Sequence, residues 1–461
     1  MKKLNFLLLG FAALLLLVIT AFTAIAPPPV AVSGTPYLPE VPFDYSVVFP
    51  DWYKENSLWI QQNEYHLNQR VAKEKATLGR VLFYDKRLSV TDDVSCGSCH
   101  KQEFGFADNQ AFSEGINGFV TPRNTPNIND LGWRFTYQLT DFPLFWDARE
   151  TNLDAMVLMP IVHDGEMGKD LGVLIEKLAN TEFYPALFED AFGDPEITPE
   201  RIGKAISGFV QSMNAFDTKF DKVMIGEASF TEEELRGKAL FDEHCNSCHT
   251  APQFTIPLPL SNTLVTDDLG YGAITGDTLD NGKFRSPSLR NIAVTAPYMH
   301  DGRFNTLEEV MHFYADSIPP LFVYYNPQTG LFTNALGIID FSDEEVDEMV
   351  AYLETLTSET LLTHEKFSDP FVEPSSVRSM ELEQEFTVFP NPFNEKTTVQ
   401  FENPQRDVYQ FFLKNTSGQL LYSVESNNEN VVIEKGELPA GVYFLEIRKG
   451  EHFKMERLVV Q

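Results

Sequence analysis

Two copies of one short pattern decide how this chain folds: Cys96-Gly-Ser-Cys99-His100 and Cys245-Asn-Ser-Cys248-His249. Together they use all four cysteines of the 461 residues. Cys-x-x-Cys-His is the attachment signal for c-type haem, in which two thiols bond the vinyl groups and the histidine becomes an iron ligand. Because a histidine follows each pair and no cysteine is left over, disulfides, a zinc site or a thioredoxin-like redox pair are disfavoured. The predicted ligands of two covalently attached haem c groups are Cys96, Cys99, His100, Cys245, Cys248 and His249.

The sequences around the two motifs repeat each other. Gly79-Arg-Val-Leu-Phe83 precedes the first motif, and Gly237-Lys-Ala-Leu-Phe241 precedes the second. Downstream, Trp146-Asp-Ala-Arg149 corresponds to His300-Asp-Gly-Arg303, each followed at the same spacing by leucine. A repeat of this kind indicates two homologous units in tandem.

Helix signals support a mainly α-helical pair of units. Thr198 precedes a proline at the first helical position, and Thr231 with Glu234 forms a predicted capping box, as does Ser342 with Glu345. Strand patterning is sparse before residue 380. The predicted fold is two tandem c-type cytochrome domains, followed by a small all-β sandwich. The predicted cytochrome boundaries are 46–225 and 226–368.

The beginning of the sequence predicts export. Lys2 and Lys3 precede a nearly unbroken apolar run over 4–26, which is typical of a secretory signal. We predict a signal peptide at 1–26 and a proline-rich linker at 27–45. Because the run is long enough to span a bilayer, and Pro27 disfavours cleavage after Ala26, an uncleaved anchor is the alternative.

The end of the sequence has a different composition. A linker at 369–384 precedes short strand-like stretches separated by turn residues, which predict a β-sandwich over 385–461. Phe389-Pro-Asn-Pro-Phe393, Leu438-Pro-Ala-Gly-Val-Tyr-Phe444 and the closing Lys454-Met-Glu-Arg-Leu-Val-Val460 resemble the type A sorting domain of the type IX secretion system of Bacteroidota. The resemblance implies the type IX secretion machinery as a partner, with transit through the periplasm to the cell surface or the medium. An ordinary adhesion or substrate-binding module is the alternative.

The charge of the chain excludes one class of function. The net charge is −32, whereas binding to nucleic-acid phosphates requires a basic face. No nucleic-acid partner is expected.

The two haem units resemble the bacterial di-haem cytochrome c peroxidase and MauG family. The segments that carry the resemblance are the first haem motif and residues 78–89, 122–126, 145–149, 166–168, 295–303 and 306–309. The family implies an enzyme that reduces hydrogen peroxide to water at the N-terminal haem, with electrons from a donor such as a small cytochrome c or a copper protein. Family peroxidases are often dimers, so a homodimer is also an expected assembly.

The same resemblance implies roles for individual residues. Glu166, 20 positions after Trp146, matches the family's acid–base glutamate over the peroxidatic haem, and Trp146 matches its tryptophan between the haems. Asn124, Thr295 and Pro297 match the residues around a calcium ion between the haems, where oxygen atoms are suitable ligands. His300 matches a histidine near the haem pair and is given a supporting role.

Three positions depart from the common peroxidase pattern. Ile116 stands where many members carry a histidine that ligates the resting peroxidatic iron, so this iron is expected to be open. Met156 replaces a distal glutamine. Tyr314 stands where a methionine ligates the second iron, which is the MauG pattern; Met299 and Met311 are the alternative ligands. A phenolate would lower the potential of that haem.

Two alternatives to the peroxidase therefore remain open. A MauG-like oxidase would act on a protein residue or a small organic substrate. A non-catalytic electron carrier would require two strong protein ligands at both irons, which Ile116 disfavours.

Overall fold

The computed structural model describes residues 34–54, 58–131, 143–255, 259–261, 267–316, 323–326, 331–334, 340–372, 386–415, 420–436, 438–449 and 452–460. The predicted signal peptide at 1–26 lies outside the described residues. Within them, no helix is long and apolar enough to cross a membrane.

The first haem region is built from short helices. They are α1 (Asp51–Lys54), α2 (Leu58–Arg70), α3 (Lys73–Tyr84), α4 (Cys96–Cys99), α5 (Leu153–Met156), α6 (Met159–Val162), α7 (Leu171–Ala179), α8 (Tyr184–Phe192), α9 (Pro199–Ser212) and α10 (Lys219–Met224). The predicted cap of α9 is confirmed, because the hydroxyl of Thr198 accepts the N–H of Arg201.

The second haem region has a similar helical frame with two small hairpins. Its elements are α11 (Glu232–His244), β1 (Pro259–Ser261), α12 (Gly272–Thr275), β2 (Lys283–Arg285), α13 (Leu307–Asp316), β3 (Val323–Asn326), β4 (Leu331–Asn334) and α14 (Asp343–Glu354). The predicted capping boxes at Thr231 and Ser342 begin α11 and α14. Strand β1 pairs antiparallel with β2, and β3 with β4.

The same helix crossing recurs in both regions. Helix α3 packs on α9 and α11 packs on α14, each with a glycine at the contact. A Cβ added at Gly79 would lie 1.9 Å from the carbonyl oxygen of Ala205, and one at Gly237 would lie 1.8 Å from that of Glu348. Only a residue without a side chain permits such close backbone approach. The crossings confirm the internal repeat that the sequence predicted.

After α14 the chain returns to the first region. Helix α15 (Glu359–Thr363) begins a segment, 358–372, that we call the return strap. Leu361 and Phe367 belong to the hydrophobic core of the first region, together with Tyr45 from the N-terminal side. The hydrogen bond from Tyr37 N–H to the carbonyl of Pro370 (2.7 Å) adds to this contact.

The C-terminal residues form the predicted β-sandwich. Its strands are β5 (Thr387–Phe389), β6 (Lys396–Gln400), β7 (Tyr409–Lys414), β8 (Leu420–Ser426), β9 (Asn430–Glu434), β10 (Gly441–Lys449) and β11 (His452–Val460). They pair antiparallel in two sheets, β5-β6-β9 and β11-β10-β7-β8. Alternate residues of both sheets, such as Val399 and Leu445, share one core.

Candidate active site

Residues Cys96–Cys99 of the first haem motif form the short helix α4, and His100 caps its C-terminal end. Ser95 and Ser98 cap this helix reciprocally, and the N–H of His100 donates to the carbonyl of Cys96 (2.8 Å). The Nδ1 of His100 lies 2.8 Å from the carbonyl oxygen of Phe106. Because a carbonyl only accepts, Nδ1 carries the proton and Nε2 keeps the free lone pair. Burial also lowers the pKa of His100, so the imidazole is neutral, as an iron ligand must be.

The second motif repeats this arrangement. The Nδ1–H of His249 donates to the carbonyl of Phe254 at 2.9 Å, and the backbone N–H of His249 donates to Cys245. Burial lowers the pKa of His249 as well. Both histidines are therefore prepared to ligate a metal through Nε2.

Each motif opens into its own cavity. The first cavity has a volume of about 990 Å³ and includes Cys96, Cys99 and His100 in its wall. The second, of about 170 Å³, includes Cys245, Cys248 and His249. Burial raises the pKa of the Cys96 and Cys245 thiols to about 12, and no disulfide joins any of the four cysteines. The structure thus brings each predicted set of haem ligands to one cavity.

Buried cationic and polar groups without partners test whether haem fits the first cavity. Arg285 and His300 line it and are 3 % and 2 % exposed. Among the described residues, neither Nη1 of Arg285 nor the ring nitrogens of His300 have a hydrogen-bond partner. Burial lowers the pKa of Arg285 to about 10, which leaves it cationic at neutral pH. A haem carries two propionate carboxylates, which would satisfy such groups. The donor set therefore fits the cofactor.

Glu166 lies in the wall of the first cavity, in the loop after α6. Its side chain is 33 % exposed, and its N–H lies 3.2 Å from the Nδ1 of His163. The same Nδ1 lies 3.7 Å from the carboxylate oxygen Oε1. Met156 also lines this cavity. Sequence reasoning gave His163 no role, because a histidine outside a ligand motif has no distinguishing spacing.

Ile116 supports the loop of Glu166. Its N–H donates to the carbonyls of Gly165 (3.1 Å) and Glu166 (3.2 Å). Its side chain is buried, and a Cβ added at Gly168 would lie 2.7 Å from Ile116 Cδ1. The side chain of Ile116 is therefore packed into the loop that carries Glu166.

Trp146 connects the two cavities, since its buried side chain lines both. Its Nε1–H donates to the carbonyl of Asn124 (2.7 Å), and its own carbonyl accepts the N–H of Arg285 (2.8 Å). Its ring centroid lies 6.5 Å from that of His300. These contacts fix the indole from both haem regions.

Tyr314 and its two alternatives all reach the second cavity. Met299, Met311 and Tyr314 line it together with His249. Met311 is buried and Tyr314 is half-buried, one turn apart on α13. All three side chains remain candidates for the second iron's sixth ligand.

The predicted calcium ligands also meet at the second cavity. Asn124, Thr295 and Pro297 all line this cavity. The Nδ2 of Asn124 donates to the carbonyls of Gln110 (3.2 Å) and Ala111 (3.3 Å). The side-chain and backbone oxygen atoms of these three residues are hard ligands of the type that calcium binds.

An ion-pair network joins the two regions at the first cavity. Arg123 donates to both carboxylate oxygens of Asp268 (2.7 Å each) and to Asp147 (2.5 Å). Burial alone would raise the pKa of Asp268, but the guanidinium of Arg123 outweighs burial and holds this pKa below its ordinary value. Sequence reasoning missed this network, because Asp268 lies 145 residues from Arg123 and follows no motif.

Three family models match the chain. A model described as di-haem cytochrome c peroxidase matches residues 73–229, a cytochrome c model matches 235–357, and a secretion system C-terminal sorting domain matches 387–461. The sorting domain indicates export through type IX secretion to the cell surface.

Characterised relatives cover the two haem regions. The methylamine utilization protein MauG of Methylophilus methylotrophus is 30 % identical over 298 residues, which are 63 % of this chain and 84 % of that protein. The cytochrome c551 peroxidase of Nitrosomonas europaea is 29 % identical over 315 residues, 66 % and 84 % of the two chains. The crystal structure of a MauG-like protein associated with microbial copper homeostasis is 34 % identical, with a TM-score of 0.56 over 65 % of this chain and 94 % of that one. With two c-type motifs and an interposed tryptophan, the chain belongs to the di-haem cytochrome c peroxidase and MauG family of oxidoreductases, whose members carry two c-type haems.

Proposed function

We propose that this protein is a secreted di-haem peroxidase that reduces hydrogen peroxide to water with electrons from an external donor, such as a small cytochrome c or a copper protein. The observation that carries the proposal is that His100 and Glu166 line one cavity, while Ile116 is packed into the loop beneath Glu166. The first cavity therefore has an acid–base group in Glu166. Position 116 supplies no histidine that could ligate the iron and block peroxide.

The chemistry divides between cofactor and protein. Haem held by His100 supplies an iron that binds peroxide and accepts electrons for its reduction. The carboxylate of Glu166 takes a proton from peroxide and returns it to the leaving oxygen. The balance is H2O2 + 2 e⁻ + 2 H⁺ → 2 H2O. The half-exposed position of Glu166, beside His163, allows protons to be replaced from water.

The second site stores and passes electrons. His249 would hold the second haem, and Trp146, which lines both cavities, would relay electrons between the two. We also propose a calcium ion bound by oxygens of Asn124, Thr295 and Pro297. Its support is that these three residues line one cavity and that the backbone carbonyl of Asn124 accepts a hydrogen bond from Trp146.

A MauG-like oxidase is the second candidate. Tyr314 lines the second cavity beside His249, and a tyrosinate ligand would make that haem a poor acceptor from a high-potential donor. The two electrons that reduce peroxide would then be taken from a protein residue or a small organic molecule, which is thereby oxidised. Both candidates share the peroxide reaction and differ in the source of electrons.

The test is spectroscopic. We expect EPR of the ferric protein to show one high-spin and one low-spin haem, and one equivalent of hydrogen peroxide to abolish the high-spin signal. If reduced cytochrome c is then oxidised at two equivalents per peroxide, the peroxidase is supported. If only an organic or protein substrate is oxidised, the oxidase is correct. Two low-spin haems that are inert to peroxide, even after one-electron reduction, would show a non-catalytic carrier.

A further inference from the structure

The carbonyl that orients each proximal histidine belongs to a phenylalanine whose ring packs in a cluster of aromatic rings. At the second site we define the second cage as Phe220, Phe241, Phe254 and Tyr352. The ring of Phe254, whose carbonyl accepts from His249, lies 5.0 Å from that of Phe220 and 5.7 Å from that of Phe241. The rings of Phe220 and Tyr352 lie 6.5 Å apart.

The first site has a matching group, the first cage, formed by Phe83, Phe106, Phe209 and Phe367. The ring of Phe106, whose carbonyl accepts from His100, lies 6.1 Å from that of Phe83 and 6.5 Å from that of Phe367. The rings of Phe209 and Phe367 lie 6.4 Å apart. Each cage is thus a cluster of four rings, one of which belongs to the residue whose carbonyl accepts from the histidine.

The internal repeat pairs the cage members one by one. Phe83 and Phe241 end the repeated stretch before each motif. Phe209 and Tyr352 occupy the same place at the helix crossing, where a Cβ added at Gly79 or Gly237 would lie 2.9 Å or 3.0 Å from their Cβ atoms. The remaining pair is Phe367 and Phe220, which close the first and second cages.

These closing residues come from different parts of the chain. Phe220 lies on α10, shortly before the second region in sequence, and its side chain belongs to the hydrophobic core of that region. Phe367 lies on the return strap, beyond the whole second region. Hydrogen bonds fix the strap there: Tyr84 Oη–H donates to the carbonyl of Phe367 (2.6 Å), and Gln102 Nε2 donates to those of Leu361 (3.0 Å) and His364 (3.1 Å).

The two side chains that bond the strap also adjoin the haem motif. Gln102 stands two residues after His100, and the ring of Tyr84 packs on Gly97, where an added Cβ would lie 2.4 Å from Tyr84 Cδ1. At its other end the strap begins in the second region, where the N–H of Ser358 donates to Asn291 Oδ1 (2.7 Å) and Ser358 is fully buried. The strap thus spans from the second region to the proximal side of the first site.

We propose that Phe367 is a positioning residue for His100, and that the return strap sets the strength of the His100-to-Phe106 hydrogen bond. A firm bond from Nδ1–H makes the imidazole a stronger donor to iron and lowers the reduction potential. The proposal rests on His100 as a haem ligand and does not require peroxide as substrate, so it can fail while the peroxidase reading stands.

The test compares Phe367→Leu with Phe220→Leu in the full holoprotein, by spectroelectrochemical titration of the two haems. Each variant removes the closing ring of one cage. We expect Phe367→Leu to shift one reduction wave to more positive potential and Phe220→Leu to shift the other. We also expect Phe367→Leu to lower the Fe–His stretching frequency of the ferrous five-coordinate haem in resonance Raman spectra. Shifts of the same wave by both variants, or no shift with Phe367→Leu, would overturn the proposal.

A milder pair covers the outcome that Phe367→Leu does not fold with two haems. Tyr84→Phe removes only the hydroxyl that donates to the Phe367 carbonyl. We expect it to shift the reduction wave of the haem bound by His100 to more positive potential, by less than Phe367→Leu does. Tyr45→Phe is the weaker member of the pair: its hydroxyl donates to the neighbouring strap carbonyl of Lys366 at 3.3 Å, so we expect a smaller shift of the same reduction wave. Potentials in Tyr84→Phe equal to those of the unaltered protein would reject the role of the strap.

Discussion

On the proximal side, the two haem sites use the same parts: a histidine whose Nδ1–H donates to the carbonyl of a phenylalanine, and a cage of four rings that includes the ring of this phenylalanine. On the distal side they differ. The first cavity is lined by the carboxylate of Glu166, whereas the described residues that line the second include no carboxylate and include the phenol of Tyr314.

This difference shows how one duplicated frame supports two tasks. Iron chemistry is set largely by whether the sixth position is open and by what surrounds it. The duplicated helices and proximal loops have kept their geometry, whereas the distal residues decide which haem meets substrate. Variants at the shared and the differing positions can therefore test the comparison.

The largest effect is expected at Glu166, which has no counterpart in the second cavity. In Glu166→Gln the amide cannot accept and return the peroxide proton, so we expect peroxide turnover to fall by about 10²- to 10⁴-fold. Steady-state peroxide consumption measures it, with unchanged haem content as a check on folding. Glu176→Gln, on the exposed side of α7, is the matched control. Equal rates in the two variants would contradict the acid–base role.

The shared frame is tested at its two helix crossings. In Gly79→Ala and in Gly237→Ala, the new methyl group would meet a backbone carbonyl, so we expect each to destabilise its region by about 1–3 kcal/mol. Denaturant unfolding followed by haem absorbance measures the loss.

Gly172→Ala, on α7, is the control for these crossings. There the added Cβ meets only the side-chain oxygen of Asp170, at 3.1 Å, and alanine favours the helix. Unequal losses at Gly79 and Gly237, with one of them near the control, would show that the two crossings are not equivalent.

The smallest effect is expected from exchanging the ligand of the second haem. If Tyr314 is that ligand, Tyr314→Met raises the potential of one haem, because a thioether stabilises ferric iron less than a phenolate does. Met311→Leu, one turn away, should leave both potentials unchanged. Potentiometric titration checks this, and the opposite pattern would assign the ligand to Met311.

Local and repeated features were predictable from the sequence. The spacing of Cys96, Cys99 and His100 predicts their convergence, since it lies within one short helix, and capping residues such as Thr198 predicted where helices begin. Glycines at matched positions indicated the repeat. These signals are local, so a single sequence contains them.

Long-range features were not predictable in this way. The Arg123–Asp268 pair and the approach of Phe367 to Phe106 join residues far apart in the chain, without a motif or period. The ligand of the second iron stayed open for another reason. Met299, Met311 and Tyr314 reach the same cavity, so knowing the fold does not choose among them.

The return strap has a consequence for biosynthesis. A chain is made from its N-terminus, and domains generally fold as they emerge. The first haem region, however, contains Leu361 and Phe367 in its core, and these are made only after the second region is complete. The region synthesised first is therefore finished last. Until the strap arrives, one side of the core around the first haem motif is uncovered, which leaves an interval in which Cys96 and Cys99 are more accessible for haem attachment than in the finished protein.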